Sequence, residues 1–146
     1  MVDVPRAAKR ADKIFRVLVV DDEQLVLKLL ARALARPDFE VAEASSGPAA
    51  LDLMAAERFD LVISDVQMPL MSGIELARRL QQHRPGLPVV LISGAFELAQ
   101  HQQPADVGAF AVLGKPFTVD ELQAVALRAL GSREVPLESR TMNIRT

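Results

Sequence analysis

Six residues of this 146-residue chain combine types and spacing that suit chemistry: Asp21, Asp22, Glu23, Asp65, Ser93 and Lys115. They stand at or just after the ends of short apolar runs. Carboxylates brought together repel, so either one keeps its proton or a cation neutralises them. The donors are oxygens. There is no cysteine, and His83 and His101 have no partner at metal-ligand spacing. Such a set points to a hard cation, Mg²⁺ or Mn²⁺, which keeps some water and also binds phosphoryl oxygens. Lys115 supplies a point charge, and Ser93 a hydroxyl. A carboxylate nucleophile, a metal, a lysine and a hydroxyl together make a phosphoryl-transfer site. Asp21 and Asp22 adjoin and suit the metal. Asp65 stands alone before the turn Met68-Pro69, so it is the expected nucleophile.

The elements that must position these residues follow from the apolar pattern. Arg16-Val-Leu-Val-Val-Asp21 reads as a strand buried on both faces. Apolar residues at Val26, Leu29, Leu30, Ala33 and Leu34 predict a helix over Glu23 to Arg36, stopped by Pro37. Phe39 to Ala44 reads as a second strand. Ser45-Ser46-Gly47-Pro48 is a turn into a helix from about Ala49 to Glu57. Phe59 to Asp65 is a third strand, and Gly73 to His83 a third helix. Pro88 to Ile92 is a fourth strand. A weak fourth helix follows over Glu97 to about Gln103, then a fifth strand over Ala109 to Leu113. Thr118 to Leu130 is the fifth helix, opened by the capping box Thr118-x-x-Glu121 and followed by Gly131.

Alternating strands and helices imply an α/β domain, a doubly wound five-stranded parallel sheet with helices on both faces. In such sheets function collects at the carboxyl ends of the strands. All six chemical residues belong there. Residues 1–14 read as a flexible arm, 15–131 as the domain and 132–146 as a tail. A net charge of −2 gives no global reason for nucleic-acid or membrane binding. No apolar run approaches a bilayer span. The lack of cysteine is compatible with a reducing cytoplasm.

At this point the residues resemble the receiver domain of two-component response regulators, over roughly Phe15 to Leu130. The pieces are Val-Leu-Val-Val-Asp21-Asp22-Glu23, Asp65-Val-Gln-Met-Pro69-Leu-Met-Ser-Gly73, Ile92-Ser93-Gly94 and Gly114-Lys115-Pro116-Phe117. Each alone is weak; four in order at four strand ends are specific. The resemblance implies the flavodoxin-like strand order 2-1-3-4-5. It implies that Asp65 accepts phosphate from a histidine kinase or a phosphotransfer protein. Asp21 and Asp22 would hold Mg²⁺, with Asp65 and the backbone carbonyl of Gln67 completing the ligands. Ser93 would turn toward the phosphoryl group and Lys115 pair with it, after a cis bond to Pro116. Catalysis would be self-directed, not that of an enzyme with a separate substrate.

One departure concerns the switch aromatic usually found three residues before the lysine. That position is Val112 here. Phe110 shares its strand parity and is the expected stand-in. The fifth helix is apolar around most of its circumference, which predicts a second contact beyond the sheet. A downstream protein is one candidate. A homodimer through the fourth helix, fifth strand and fifth helix is another.

Each residue also has an ordinary explanation taken singly. Asp22 would cap a helix, Asp65 a turn, Ser93-Gly94 a loop and Lys115-Pro116 a surface turn. Competing functions are weaker. A phosphatase with an aspartyl-phosphate intermediate usually has a second acid where Gln67 stands. A flavin-binding domain of the same sheet order needs a Ser/Thr/Gly-rich first loop, not Asp-Asp-Glu. A receiver-like module that binds partners without phosphorylation would not need the full site set.

Overall fold

The apolar runs do form a parallel sheet, in the order β2-β1-β3-β4-β5. The computed structural model describes residues 13–94 and 107–131. Its elements are β1 (Phe15–Val20), α1 (Gln24–Ala33), β2 (Phe39–Ala44), α2 (Gly47–Ala56), β3 (Leu61–Asp65), α3 (Gly73–His83), β4 (Val89–Ser93), β5 (Ala111–Gly114) and α4 (Val119–Gly131). The arm, the tail and the weak helix expected over 97–103 lie outside the described residues.

Period-2 alternation divides each strand between two cores. Val17, Val19, Leu61, Ile63, Val90, Ile92 and Leu113 face α1 and α4, which add Leu27, Leu30, Leu122 and Val125. Leu18, Val20, Val62, Val89 and Leu91 face α2 and α3, which add Ala50, Met54, Leu76 and Leu80. The central strands are buried on both faces, which explains their unbroken β-branched runs. Right-handed crossovers account for the helix layers. The chain steps from β1 to β2 in one direction, then returns past β1 to β3 in the other, so α1 and α2 lie on opposite faces.

Several boundaries differ from the sequence reading. Helix α1 ends at Ala33, short of Pro37, and the Gln123 side chain of α4 donates to the Ala33 carbonyl at 2.7 Å. Helix α2 begins at Gly47, because the Ser46 hydroxyl accepts from the Ala49 N–H at 3.1 Å. Pro48 fits in that first turn, where no donor is required. The capping box of α4 forms in both directions: Thr118 N–H to Glu121 Oε1 at 2.9 Å, and Glu121 N–H to Thr118 Oγ1 at 3.0 Å. Its outer face leaves Val119 and Leu127 exposed.

Strand β5 starts at Ala111, so Phe110 precedes it. Phe110 packs on the α1–α4 core, whereas Val112 packs on the opposite core under α2 and α3. The expected substitution of Phe110 for the missing aromatic at Val112 therefore fails on geometry. Strand parity does not extend to a residue outside the strand.

The loop from β3 to α3 is tightly held. Met71 lies over Gly47, where a Cβ would come within 2.7 Å of its Sδ. The Met71 N–H donates to the Pro69 carbonyl at 2.7 Å, closing a three-residue turn around Leu70. Leu70 has φ +72° and is 88% exposed. A branched L-residue is strained there, and glycine is not. Leu70→Gly buries no less apolar surface and removes the strain. We expect it to raise the urea-unfolding stability by about 0.5–1 kcal/mol, the strain relief exceeding the entropy cost of glycine. A lower midpoint would show that the Leu70 side chain has a stabilising contact.

Candidate functional site

Register brings the strand ends level. Val20 is paired with Ser64, Asp65 with Ile92, and Ser93 with Gly114. The residues at or one step beyond these pairs are Asp21, Asp65, Ser93 and Lys115. Backbone bonds hold the edge: Asp21 N–H to the Ala44 carbonyl at 3.2 Å, Val66 N–H to Ile92 at 2.9 Å, and Lys115 N–H to Ser93 at 2.8 Å. One cleft of about 270 Å³ is lined by Asp21, Asp22, Asp65, Gln67, Ser93 and Lys115, among others. Asp21, Asp22, Glu23, Asp65, Ser93 and Lys115, the six residues singled out for their chemistry, thus line one cleft, with Gln67 beside them.

Their environments differ. Asp21, Asp65 and Ser93 are buried, and Asp22, Gln67 and Lys115 stand at the rim. Lys115 Nζ lies 2.8 Å from Asp65 Oδ1. The Gln67 N–H donates to Asp65 Oδ2 at 3.0 Å. The Asp65 carboxylate is therefore gripped at both oxygens. The Glu23 N–H donates to Asp21 Oδ1 at 2.9 Å. Asp22 does not cap α1. Glu23 holds the cap position without a side-chain bond. The Ser93 hydroxyl donates to the Gly94 carbonyl at 3.1 Å, not to Asp65. The Lys115–Pro116 peptide bond is cis.

Electrostatics follow from this crowding. Burial pushes the Asp21 carboxyl above its ordinary value. The Glu23 N–H opposes this, the charges on Asp65 and Asp22 add to it, and Lys115 draws it back in part. Burial pulls the Lys115 ammonium down, but the hydrogen bond and charge of Asp65 outweigh it, helped by Asp21 and Glu23. The net effect raises Lys115 and keeps it charged.

The oxygens open to a hard cation are those of Asp21, Asp22, Asp65 and the Gln67 backbone. Asp21 Oδ2 meets no hydrogen-bond donor among the described residues, although the residue is only 3% exposed. A buried carboxylate oxygen without a donor suits an incoming cation. Among the described residues no three acidic or imidazole groups already stand together as a ligand cluster. Asp22 is turned to solvent, and Lys115 occupies the Asp65 side.

Two neighbours were not assigned roles by sequence reasoning. Glu23 supplies the backbone donor to Asp21, which only the turn geometry reveals. A Cβ on Gly73 would lie 2.1 Å from the Asp65 carbonyl oxygen, so α3 can approach β3 only with glycine there. The sequence signal for Gly73 was its place at the end of the Asp65 motif.

The profile of the family described as the response regulator receiver domain matches residues 17–127. The chain belongs to the response regulator receiver family. It is 38% identical over 121 residues to the response regulator MprA of Mycolicibacterium vanbaalenii, covering 83% of this chain and 52% of that one. A receiver domain protein of Clostridium thermocellum superposes with a TM-score of 0.77 at 28% identity, covering 84% of this chain and 98% of that one. The chemotaxis response regulator CheY4 of Vibrio cholerae does so with a TM-score of 0.73 at 30% identity, covering 81% and 100%. The chain spans about half the length of MprA. As a receiver it is a phosphorylation-dependent signalling unit with self-directed phosphotransfer chemistry. No helix among the described residues is long and apolar enough to cross a membrane.

The raised Asp21 carboxyl gives a signed pH prediction. Its contribution to stability is complete below the ordinary aspartate value of 3.8. That contribution is lost as pH rises through the higher folded value. At neutral pH in EDTA, ionised Asp21 is therefore a burden on the fold. Asp21→Asn is expected to raise the urea midpoint at pH 7 and to lose that advantage toward pH 3. Equal midpoints at pH 7 would contradict the crowding.

Proposed function

We infer that this receiver takes up a phosphoryl group on Asp65 from a histidine kinase or a phosphotransfer protein. The supporting observation is the buried Asp65 carboxylate, open to a cleft and paired with Lys115 at 2.8 Å. An Asp65 oxygen attacks the donor phosphorus. The O–P bond forms as the bond from phosphorus to the donor breaks, and that electron pair leaves with the donor, which takes up a proton. Charge moves from the carboxylate to the phosphoryl oxygens, and Lys115 follows it. The Ser93 hydroxyl, bonded only locally to Gly94, turns to a phosphoryl oxygen.

Asp21, Asp22, Asp65 and the Gln67 carbonyl would hold Mg²⁺ or Mn²⁺, with exposed Asp22 turning inward. When bound, the cation neutralises the crowded carboxylates and withdraws charge from the transferring phosphoryl group. The Asp21 side fits it best, because its Oδ2 is otherwise unmet. Output runs through changed contacts with a downstream protein. The exposed Val119 and Leu127 on α4 support a protein contact there, with a second copy as one occupant. We place the chain in the cytoplasm.

Incubation with Mg²⁺ and acetyl phosphate, followed by mass spectrometry, should show one base-labile phosphoryl adduct on Asp65. Asp65→Asn should take none. An unlabelled wild-type chain, or a label elsewhere, would remove this reading. Mg²⁺ should also raise the melting temperature, by a stabilisation of about 2.7 kcal/mol at a hundredfold excess over Kd. Asp21→Asn should lose most of that rise; a full rise in this variant would exclude Asp21 as a ligand.

A further inference from the structure

The described residues include four buried polar side chains: Asp21, Ser64, Asp65 and Ser93. Three line the cleft, and Ser64 does not. It is fully buried. Its register partners are Val20 and Leu91, both in the apolar core under α2 and α3. An aliphatic side chain would suit that layer. A hydroxyl there is costly unless bonded.

Its bond is informative. The Ser64 hydroxyl donates to the carbonyl of the next residue, Asp65, at 3.0 Å. Such a local bond ties no distant segments together. It holds the carbonyl side of the Asp65–Val66 peptide, whose N–H is bonded to the Ile92 carbonyl at 2.9 Å. Gly73 backs the same carbonyl from the α3 side, where a Cβ would lie 2.1 Å from the oxygen. The Gly73 N–H takes the following carbonyl, that of Val66, at 2.8 Å. Two residues past Asp65, the Gln67 N–H returns to the Asp65 carboxylate at 3.0 Å. A tilt of the 65–66 peptide would move that N–H and redirect the carboxylate.

We propose that Ser64 is a positioning residue for phosphoryl uptake, its buried hydroxyl holding the Asp65 carbonyl so that the carboxylate is presented in line with the donor. This rests on Asp65 being the phosphoacceptor. Ser64 touches neither donor nor cation. Its loss should slow the transfer and leave donor affinity unchanged.

The test is a labelling time course on the full chain with Mg²⁺ over a range of acetyl phosphate concentrations, read by intact mass. S64A should lower the limiting rate roughly three- to tenfold, in keeping with the sensitivity of transfer to small misplacements. The half-saturating donor concentration should not move. S64T keeps the hydroxyl and should recover at least half of the rate. S64C, nearly isosteric with a weaker donor, should fall between and serves if S64A does not fold. Wild-type rates in S64A and S64C overturn the proposal alone. So does S64T as slow as S64A, because the effect would then follow volume. A wild-type chain that takes no label overturns the acceptor reading and this inference with it.

Discussion

The contact between the Lys115 ammonium and the Asp65 carboxylate is the interaction on which the rest turns. It joins the last residue of the central strand β3 to the first residue beyond the edge strand β5. It also meets a problem that the fold itself creates. A parallel sheet collects strand ends along one rim, and here those ends carry Asp21, Asp22 and Asp65. Burial of Asp21 and Asp65 removes the water that would screen them. One lysine offsets part of that charge, while burial first, and the charges of Asp65 and Asp22 after it, push the Asp21 carboxyl upward. Buried carboxylate oxygens with few donors suit a hard cation. Readiness for chemistry and unfavourable electrostatics are here the same property.

The sheet can sustain that rim because the buried stretches of strand beneath it are apolar, Ser64 apart, and fixed in register. Val17 to Val20, Leu61 to Ile63 and Val89 to Ile92 are buried on both faces. A one-residue slip of any of these strands would reverse its faces and move its terminal acid or serine out of line. The two helix layers lock the register from both sides. The arginine at the opposite rim contributes as well. Arg16 contacts Glu40, Glu57 and the Arg58 carbonyl, and its guanidinium lies 4.6 Å from the centre of the Phe59 ring. It ties the start of β1 to β2 and to the approach of β3.

Strand order was implied by the resemblance to receiver domains; strand identities and the meeting of Asp21, Asp65, Ser93 and Lys115 were legible in the residues themselves. Each depends on a local signal: an unbroken β-branched run, or a polar residue ending it. What was not legible depends on partners far along the chain. Pro37 suggested the stop of α1, yet the helix ends at Ala33, whose carbonyl Gln123 takes from another helix. Asp22 looked like a cap, but Asp21 turns back on the Glu23 N–H instead. Phe110 looked equivalent to Val112 by parity, and the late start of β5 places it on the other core. Ser64 drew no notice, because a serine in a strand has no pattern of its own. Its meaning lies in which carbonyl it meets.

The seat of Met71 on Gly47 has a mechanical implication. Gly47 opens α2, and Met71 belongs to the segment leaving β3. With no side chain at 47, a thioether from one connection rests directly on the first turn of another. The two connections interlock like a tenon in its socket. A displacement of that segment would either drag the start of α2 along or open a void beneath the sulfur. The flexible, polarisable methionine is the side chain best able to absorb the difference. How far that rearrangement spreads over the molecule would then be set by a single rotamer.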